Sequence, residues 1–246
     1  MVTIKVGKTQ FTEIEGIIFD KDGTLQDSHQ YLWQLAQKRA RMVDAQIPGI
    51  GEPLLMAFGV QDHHLDPTGL MAVGSHKENE IAAAAYIAET GRSWFESKNI
   101  AKFAFEEADK YMSNRSETSP LFTGSLEVIK ELAELGLKLG ILSADTTKNV
   151  EIFVKEHQLS PYIDLMMGVD GTLTKPDPRL FLQACEKLKL NPQNTLMVGD
   201  ALGDIEMAHN AGAAGAIGIC WGKPEASHLE SADVVISSLD EIKISY

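Results

Sequence analysis

The sequence predicts an α/β protein: a doubly wound, Rossmann-like parallel sheet with an α-helical domain inserted into it. Three observations predict this. Six short apolar runs are each followed by acidic, Gly or small residues, and near-continuous runs of that length suit strands covered on both faces, as in a parallel sheet. From about residue 121 the runs alternate with helical patterns, the signature of βαβ units. Between about 28 and 118 the rhythm breaks into helical stretches with no convincing buried strand, so an insertion separates the first strand from its partners.

In chain order, the first run is Gly16–Phe19, and a helix is predicted over Tyr31–Val43. Ile47–Gly74 reads as loop, with Pro48, Pro53, Pro67 and five glycines. Ser75 and Glu78 have the spacing of a capping box opening an Ala-rich helix. Trp94–Met112 is a further helical stretch. Leu126, Ile129, Leu132, Ala133 and Leu135 mark a helix that stops at Gly136. Strand runs follow at Leu137–Leu142, Asp164–Val169, Thr195–Val198, Ala216–Cys220 and Asp233–Ile236, with a helix on Leu180, Phe181, Ala184 and Leu188 between the second and third of these. The expected division is a core of 1–27 and 118–246 and an inserted helical domain of 28–117.

Composition narrows the partners. The chain has 246 residues, 44% apolar and 23% charged, which suits a well-buried globular protein. Its 22 basic against 35 acidic residues give a net charge of −13. That field repels phosphate backbones and anionic lipid, so neither nucleic acid nor a membrane is an expected partner. An anionic small substrate would need a local positive charge or a metal. Cys185 and Cys220 are too few for a disulfide framework and read as free thiols of a reducing compartment. With no apolar leader-like stretch near residue 1 and no long apolar run, a cytoplasmic location is expected.

Asp20-Lys21-Asp22-Gly23-Thr24 follows directly on the first run. In open parallel sheets, ligands bind outside the carboxyl ends of the strands. A D-x-D pair there offers one carboxylate to attack and a second to handle protons. Chance would produce D-x-D-G-T in roughly 2 in 1,000 chains of this length. The second Asp-Gly-Thr-Leu, at 170–173, has Gly168 in place of the first acid, so Asp170 reads as a turn residue. Ser143 ends the second run, Lys175 lies in Thr-Lys-Pro-Asp-Pro where prolines are expected to hold the chain extended, and Gly199-Asp200-Ala-Leu-Gly-Asp204 follows the fourth. Asp20, Asp22 and Asp200 brought together would repel unless a hard cation such as Mg²⁺ neutralised them. Such a cation with Lys175 would supply the positive charge an anionic substrate needs, and Ser143 would add a hydroxyl and a neighbouring N–H, that of Ala144.

These four motifs, in this order and at strand ends, resemble those of the haloacid dehalogenase-like superfamily of hydrolases. Pro120–Gly124, leading into the helix before Ser143, fits the same pattern, and the match covers 12–25 and 118–240. The insert between the first two motifs is similar to the helical cap of the phosphoglycolate phosphatase and β-phosphoglucomutase-like branch. The resemblance implies that Asp20 is the nucleophile forming an aspartyl-phosphate. Asp22 would protonate the leaving oxygen and then deprotonate the hydrolytic water. Asp20, Asp22 through its carbonyl, and Asp200 would hold Mg²⁺, with Asp204 close by or bridged through water. Asp20, Lys21, Asp22, Ser143, Ala144 and Lys175 would contact the phosphoryl group, Lys175 also offsetting the charge of Asp20.

Dehalogenase and phosphonatase members lack an acid two residues after the nucleophile, and P-type pumps have Thr there, so Asp22 favours phosphoryl chemistry. Ala201 departs from the Ser or Thr of many members. The implied function is a Mg²⁺-dependent phosphatase of a small phosphorylated metabolite, phosphoglycolate or a sugar phosphate. Alternatives are a β-phosphoglucomutase-type phosphomutase and, from another class, a phospho-accepting signalling receiver-like module.

Other residues have plainer readings. Asp204 has, as its alternative, a plain reading as a charge at a helix N-terminus. His63 and His64 suggest a metal pair, but adjacent residues point apart, so a solvated loop is favoured. Cys185 reads as core, and Trp33, Trp94 and Trp221 as packing. The insert is expected to set substrate choice, with His63, His64, His76, Lys77 and Arg92 as candidate contacts. The N–H groups at Gly74-Ser75 could serve an anionic leaving group, although the capping box accounts for them without one.

Overall fold

The computed structural model describes residues 1–62, 64–112, 119–221 and 226–245. His63, one of the insert's candidate contacts, and the expected boundary at 117/118 lie outside the described residues. The chain divides into two compact units, Met1–Asp27 with Pro120–Tyr246, and Ser28–Ser119.

The first unit begins with β1 (Val2–Val6), β2 (Thr9–Ile14) and β3 (Gly16–Phe19). After the insertion come α6 (Ser125–Glu134), β6 (Lys138–Leu142), α7 (Thr147–Glu156), β7 (Leu165–Met167) and α8 (Pro178–Leu188). Then follow β8 (Thr195–Gly199), α9 (Leu202–Asn210), β9 (Gly215–Ile219), β10 (Val234–Ile236) and β11 (Ile242–Ser245). All six predicted apolar runs are strands of one sheet, in the order β10-β9-β8-β3-β6-β7, and every pairing in it is parallel.

The runs are continuous because both faces are covered. Ile17 and Phe19 of β3 join a core with α6 and α7, through Ile129, Leu132, Val150 and Phe153. Ile18 joins the opposite core with α8 and α9, through Phe181, Leu188, Ile205 and Ala208. Each large side chain so buried contributes about 1.5–3 kcal/mol. Counting only strands of this sheet, the order is 6-5-4-1-2-3, so the chain reverses its winding direction between β3 and β8. That reversal opens a crevice at the carboxyl ends of the strands.

One element was not anticipated. β1 and β2 form an antiparallel hairpin, and β11 pairs with β1 on its other side. Ile4, Val6, Phe11, Ile14 and Ile242 of this small sheet close one face of the core.

The second unit holds α1 (His29–Asp44), α2 (Gly51–Phe58), β4 (Val60–Gln61), β5 (His64–Leu65), α3 (Leu70–Val73), α4 (His76–Glu89) and α5 (Trp94–Tyr111). The expected loop over Ile47–Gly74 is therefore corrected: it carries two helices and a pair of two-residue strands. Pro53 is no obstacle to α2, because it sits in the first turn, where a missing N–H leaves no bond unmade. Leu54 and Phe58, one turn apart, are buried, and Gly59 ends the helix at φ 83°. Alanines 83, 84, 101 and 104 let α4 and α5 approach closely around Phe105. No helix of the described residues is long and apolar enough to cross a membrane.

Candidate active site

β8, β3 and β6 are neighbours in the sheet, so the residues leaving their carboxyl ends, Asp200, Asp20 and Ser143, emerge side by side. The Asp20 N–H donates to the Val198 carbonyl at 2.8 Å, extending the strand pairing one residue beyond β3. The chain then turns sharply: the Lys21 carbonyl accepts from the N–H groups of Leu25 and Gln26 at 3.0 and 3.1 Å. Gly23 has φ +76°, and a Cβ there would meet Asp200 Oδ2 at 2.0 Å, so only glycine admits that carboxylate. Thr24 Oγ1 donates to Asp200 Oδ1 at 3.2 Å. The Gly and Thr of the first motif thus serve to seat the acid of the last.

Asp20, Asp200 and Asp204 each present an oxygen within 4.8 Å of the others. The Lys175 ammonium lies between two of them, 2.6 Å from Asp20 Oδ1 and 2.6 Å from Asp204 Oδ1. Three carboxylates against one ammonium leave two negative charges in a largely buried place, and neighbouring charges of one sign repel strongly there. Burial raises the Asp20 carboxyl to about 7; the Lys175 ammonium pulls down, and Asp204 and Asp22 add to the rise. Burial also raises Asp200 well above the ordinary carboxyl range, helped by Asp20 and Asp204. Burial works against the charged form of Lys175, but Asp20 and Asp204 outweigh it and hold the ammonium above its usual range. Hard carboxylate oxygens with two charges unmet are the donor set a divalent cation takes.

Asp204 sits at the start of a helix, as one of its readings expected, and in the carboxylate cluster as well. As the third residue of α9 it accepts the Ala201 N–H at Oδ2 at 3.3 Å, while Oδ1 faces Lys175. Gly199 is where this acid packs: a Cβ there would stand 2.5 Å from its side chain. Lys175 is carried by a turn over 174–177 in which Asp177 N–H donates to the Thr174 carbonyl, and the Lys175–Pro176 peptide is cis. The extended conformation expected for this segment is corrected accordingly.

Asp22 and Lys21 form a second cluster. Gln26 Nε2 donates to Asp22 Oδ1 at 2.6 Å, and the Lys21 ammonium lies 2.5 Å from Asp22 Oδ2. Lys21 is fully buried and its ammonium also faces Asp145 Oδ2 at 3.3 Å. Lys21, expected among the phosphoryl contacts, thus has its ammonium engaged by two carboxylates. Ser143 is buried, gives its N–H to the Met167 carbonyl and accepts the Asp145 N–H at Oγ at 3.1 Å; Ala144 beside it is partly exposed.

Sequence reasoning passed over Asp145, Gln26 and His228, and read Trp221 as packing. Asp145 carried a signal, as an acid just past a strand end. Trp221 Nε1 donates to the Thr24 carbonyl at 3.1 Å and its ring stacks on Phe122, while His228 Nε2 lies 3.1 Å from the Asp200 carbonyl; spacing could not show either.

In the second unit the candidate contacts have local partners. Arg39 donates to His76 Nδ1 at 3.0 Å, Lys77 pairs with Glu80, and Arg92 donates to Thr90 Oγ1. His64 is exposed, 6.2 Å from the His29 ring centre. The Ser75 capping box forms as read: Ser75 N–H donates to Glu78 Oε2 at 2.8 Å and Glu78 N–H to Ser75 Oγ at 3.2 Å. Asp170 accepts the Thr147 N–H at the start of α7. Cys185 is core, its thiol pushed up to about 11 by burial.

Residues 14–212 match the family model of haloacid dehalogenase-like hydrolases. A phosphoglycolate phosphatase of Vibrio vulnificus (strain CMCP6) is 28% identical over 233 residues, covering 94% of this chain and 95% of that one. The crystal structure of a predicted phosphoglycolate phosphatase from Haemophilus somnus 129pt superposes with TM-score 0.71 at 22% identity, covering 93% and 96%. That of a β-phosphoglucomutase from Clostridium difficile gives 0.64 at 22% identity, covering 94% and 93%. At such identities the two structures speak for the fold.

Proposed function

The chain belongs to the haloacid dehalogenase-like hydrolases, as an enzyme of their phosphatase kind, and from that premise we propose that it is a Mg²⁺-dependent phosphatase of a small phosphorylated metabolite, phosphoglycolate or a sugar phosphate, working through an aspartyl-phosphate on Asp20. The observation that carries this reading is the surplus of negative charge at the buried Asp20 and Asp204 and the half-buried Asp200, met by one ammonium, at the crevice of a parallel sheet.

Lys175 holds Asp20 Oδ1 at 2.6 Å, which leaves Oδ2 to attack phosphorus. The ester P–O bond breaks in line with that attack, and Asp22 gives its proton to the departing oxygen. Asp22, now a carboxylate, takes a proton from water as that water attacks phosphorus; the bond to Asp20 breaks and inorganic phosphate leaves. Ser143 and the Ala144 N–H orient phosphoryl oxygens, and Lys175 offsets their charge while fixing the nucleophile. Asp20, the Asp22 carbonyl and Asp200, with Asp204 beside them, would hold a divalent cation, which would supply positive charge to the phosphoryl group.

The test is phosphate release from a panel containing phosphoglycolate and sugar phosphates, with Mg²⁺ and with EDTA. Release that needs Mg²⁺ supports the reading. Release that persists in EDTA removes the metal from it, and isomerisation that depends on a bisphosphate primer assigns the chain to phosphomutase chemistry instead. A long-lived phosphoprotein with negligible turnover would revive the receiver-like alternative.

A further inference from the structure

We propose that Lys21 is a positioning residue: its buried ammonium is a strut that fixes the Asp22 carboxylate against the loop that follows β6. The proposal rests on the reading of Asp22 as the proton donor. Lys21 is 0% exposed, with Nζ 2.5 Å from Asp22 Oδ2 and 3.3 Å from Asp145 Oδ2. The far end is itself fixed. Asp145 Oδ1 accepts from Asn149 Nδ2 at 2.6 Å and from the Thr146 N–H at 2.8 Å, and the Asp145 N–H is tied to Ser143 Oγ. Gln26 Nε2 is hydrogen-bonded to Asp22 Oδ1 and the Lys21 ammonium lies beside Oδ2, so each oxygen of Asp22 has its own partner.

Packing does not explain this lysine. Phe19, two residues earlier, packs in one core with Phe153, and the Lys21 ammonium lies 6.0 Å from the Phe153 ring centre, so apolar side chains border this lysine. Replacing a buried ion pair with well-packed apolar groups is often neutral or stabilising. A lysine in this place exchanges that ease for geometry. It ties the acid of the first motif to the loop carrying Ser143, so the group that moves protons and the group that orients the phosphoryl oxygens are set in one frame. Small misplacements of such groups are costly to rate.

The prediction is a split by leaving group. An alkyl phosphate expels an alkoxide and needs the proton of Asp22; p-nitrophenyl phosphate expels a stable phenolate and does not. In Lys21→Met, turnover of phosphoglycolate, or of glucose 6-phosphate if that is the better substrate of the parent, is expected to fall about 100-fold. The pre-steady-state burst of p-nitrophenolate is expected to fall by no more than about threefold. An equal loss in both, or in neither, would overturn the proposal. Should Lys21→Met not fold, Asp145→Asn carries the test, because it leaves the Lys21–Asp22 pair and removes only its anchor; the same split, about tenfold, is expected, and its absence overturns the proposal. Asp22→Asn separates the two levels of inference. If Asp22→Asn shows the split and the Lys21 variant does not, the strut alone is wrong; if Asp22→Asn shows none, the proton-donor assignment falls and the strut with it.

Discussion

Two buried lysines in the sheet unit invite comparison. Lys175 lies between Asp20 and Asp204, whose side chains are 8% and 1% exposed, and the carboxylate of Asp200 crowds the same place. Lys21 lies between Asp22 and Asp145, which are 17% and 14% exposed. One ammonium faces three carboxylates in the first cluster and two in the second. The second can spread its single surplus charge to water and to neutral donors from Gln26, Asn149 and Thr146. The first holds a surplus of two, with Asp20 and Asp204 less open to solvent, and so calls for a cation. Equal-looking lysine–carboxylate pairs thus have different consequences, decided by charge count and burial.

The hardest blow to the first cluster is Asp20→Asn, which removes the nucleophile while nearly keeping its volume. Phosphate release should drop by about 10⁴-fold or more, with an unchanged far-ultraviolet spectrum. Retained turnover would take Asp20 out of the covalent step. Lys175→Met should reduce kcat/KM by about 10²–10³-fold, as expected for losing one fixed charge partner of the reacting group; unchanged kinetics would mean that the pair with Asp20 serves stability only.

A third prediction concerns pH. The folded Asp20 carboxyl titrates near 7, above its ordinary value of 3.8, and Asp200 is raised as well. Between those values the folded, metal-free protein holds protons that the unfolded chain releases, so stability falls as pH rises through that window. Calorimetric melting in EDTA should therefore show Tm decreasing from about pH 4 to about pH 7, and added Mg²⁺ should restore more at the upper end than at the lower. A Tm that rises through the window, or a Mg²⁺ effect independent of pH, would break the charge argument. The smallest effect belongs to the second cluster. Gln26→Leu removes one neutral donor to Asp22 and should lower kcat by about tenfold or less, leaving Mg²⁺ affinity by calorimetric titration unchanged. A shift in that affinity would mean that the two clusters act as one.

The sequence carried the sheet clearly because strands buried on both faces leave continuous apolar runs, and Ile17, Ile18 and Phe19 are such a run. The hairpin over Val2–Ile14 was less plain. Ile4 and Val6 face the core while Thr3 and Lys5 do not, a period of two, and the partner strand at Ile242–Ser245 lies at the other end of the chain. The helix over Gly51–Phe58 was hidden by Pro53, whose effect depends on which turn it occupies. In the site, Asp20, Lys175, Asp200 and Asp204 were legible because each follows a strand or lies in a short motif. Lys21 was expected at the phosphoryl group, and its burial was not legible, because Asp145, its second acid, arrives from another loop.

The central claim is that phosphoryl transfer passes through the side chain of Asp20. Rapid quenching of the Asp22→Asn variant with substrate, borohydride reduction and mass-spectrometric peptide mapping tests it most directly. The account predicts homoserine at position 20, the product of a reduced aspartyl-phosphate; phosphate released with position 20 still aspartate, or reduction at another carboxylate, would contradict it.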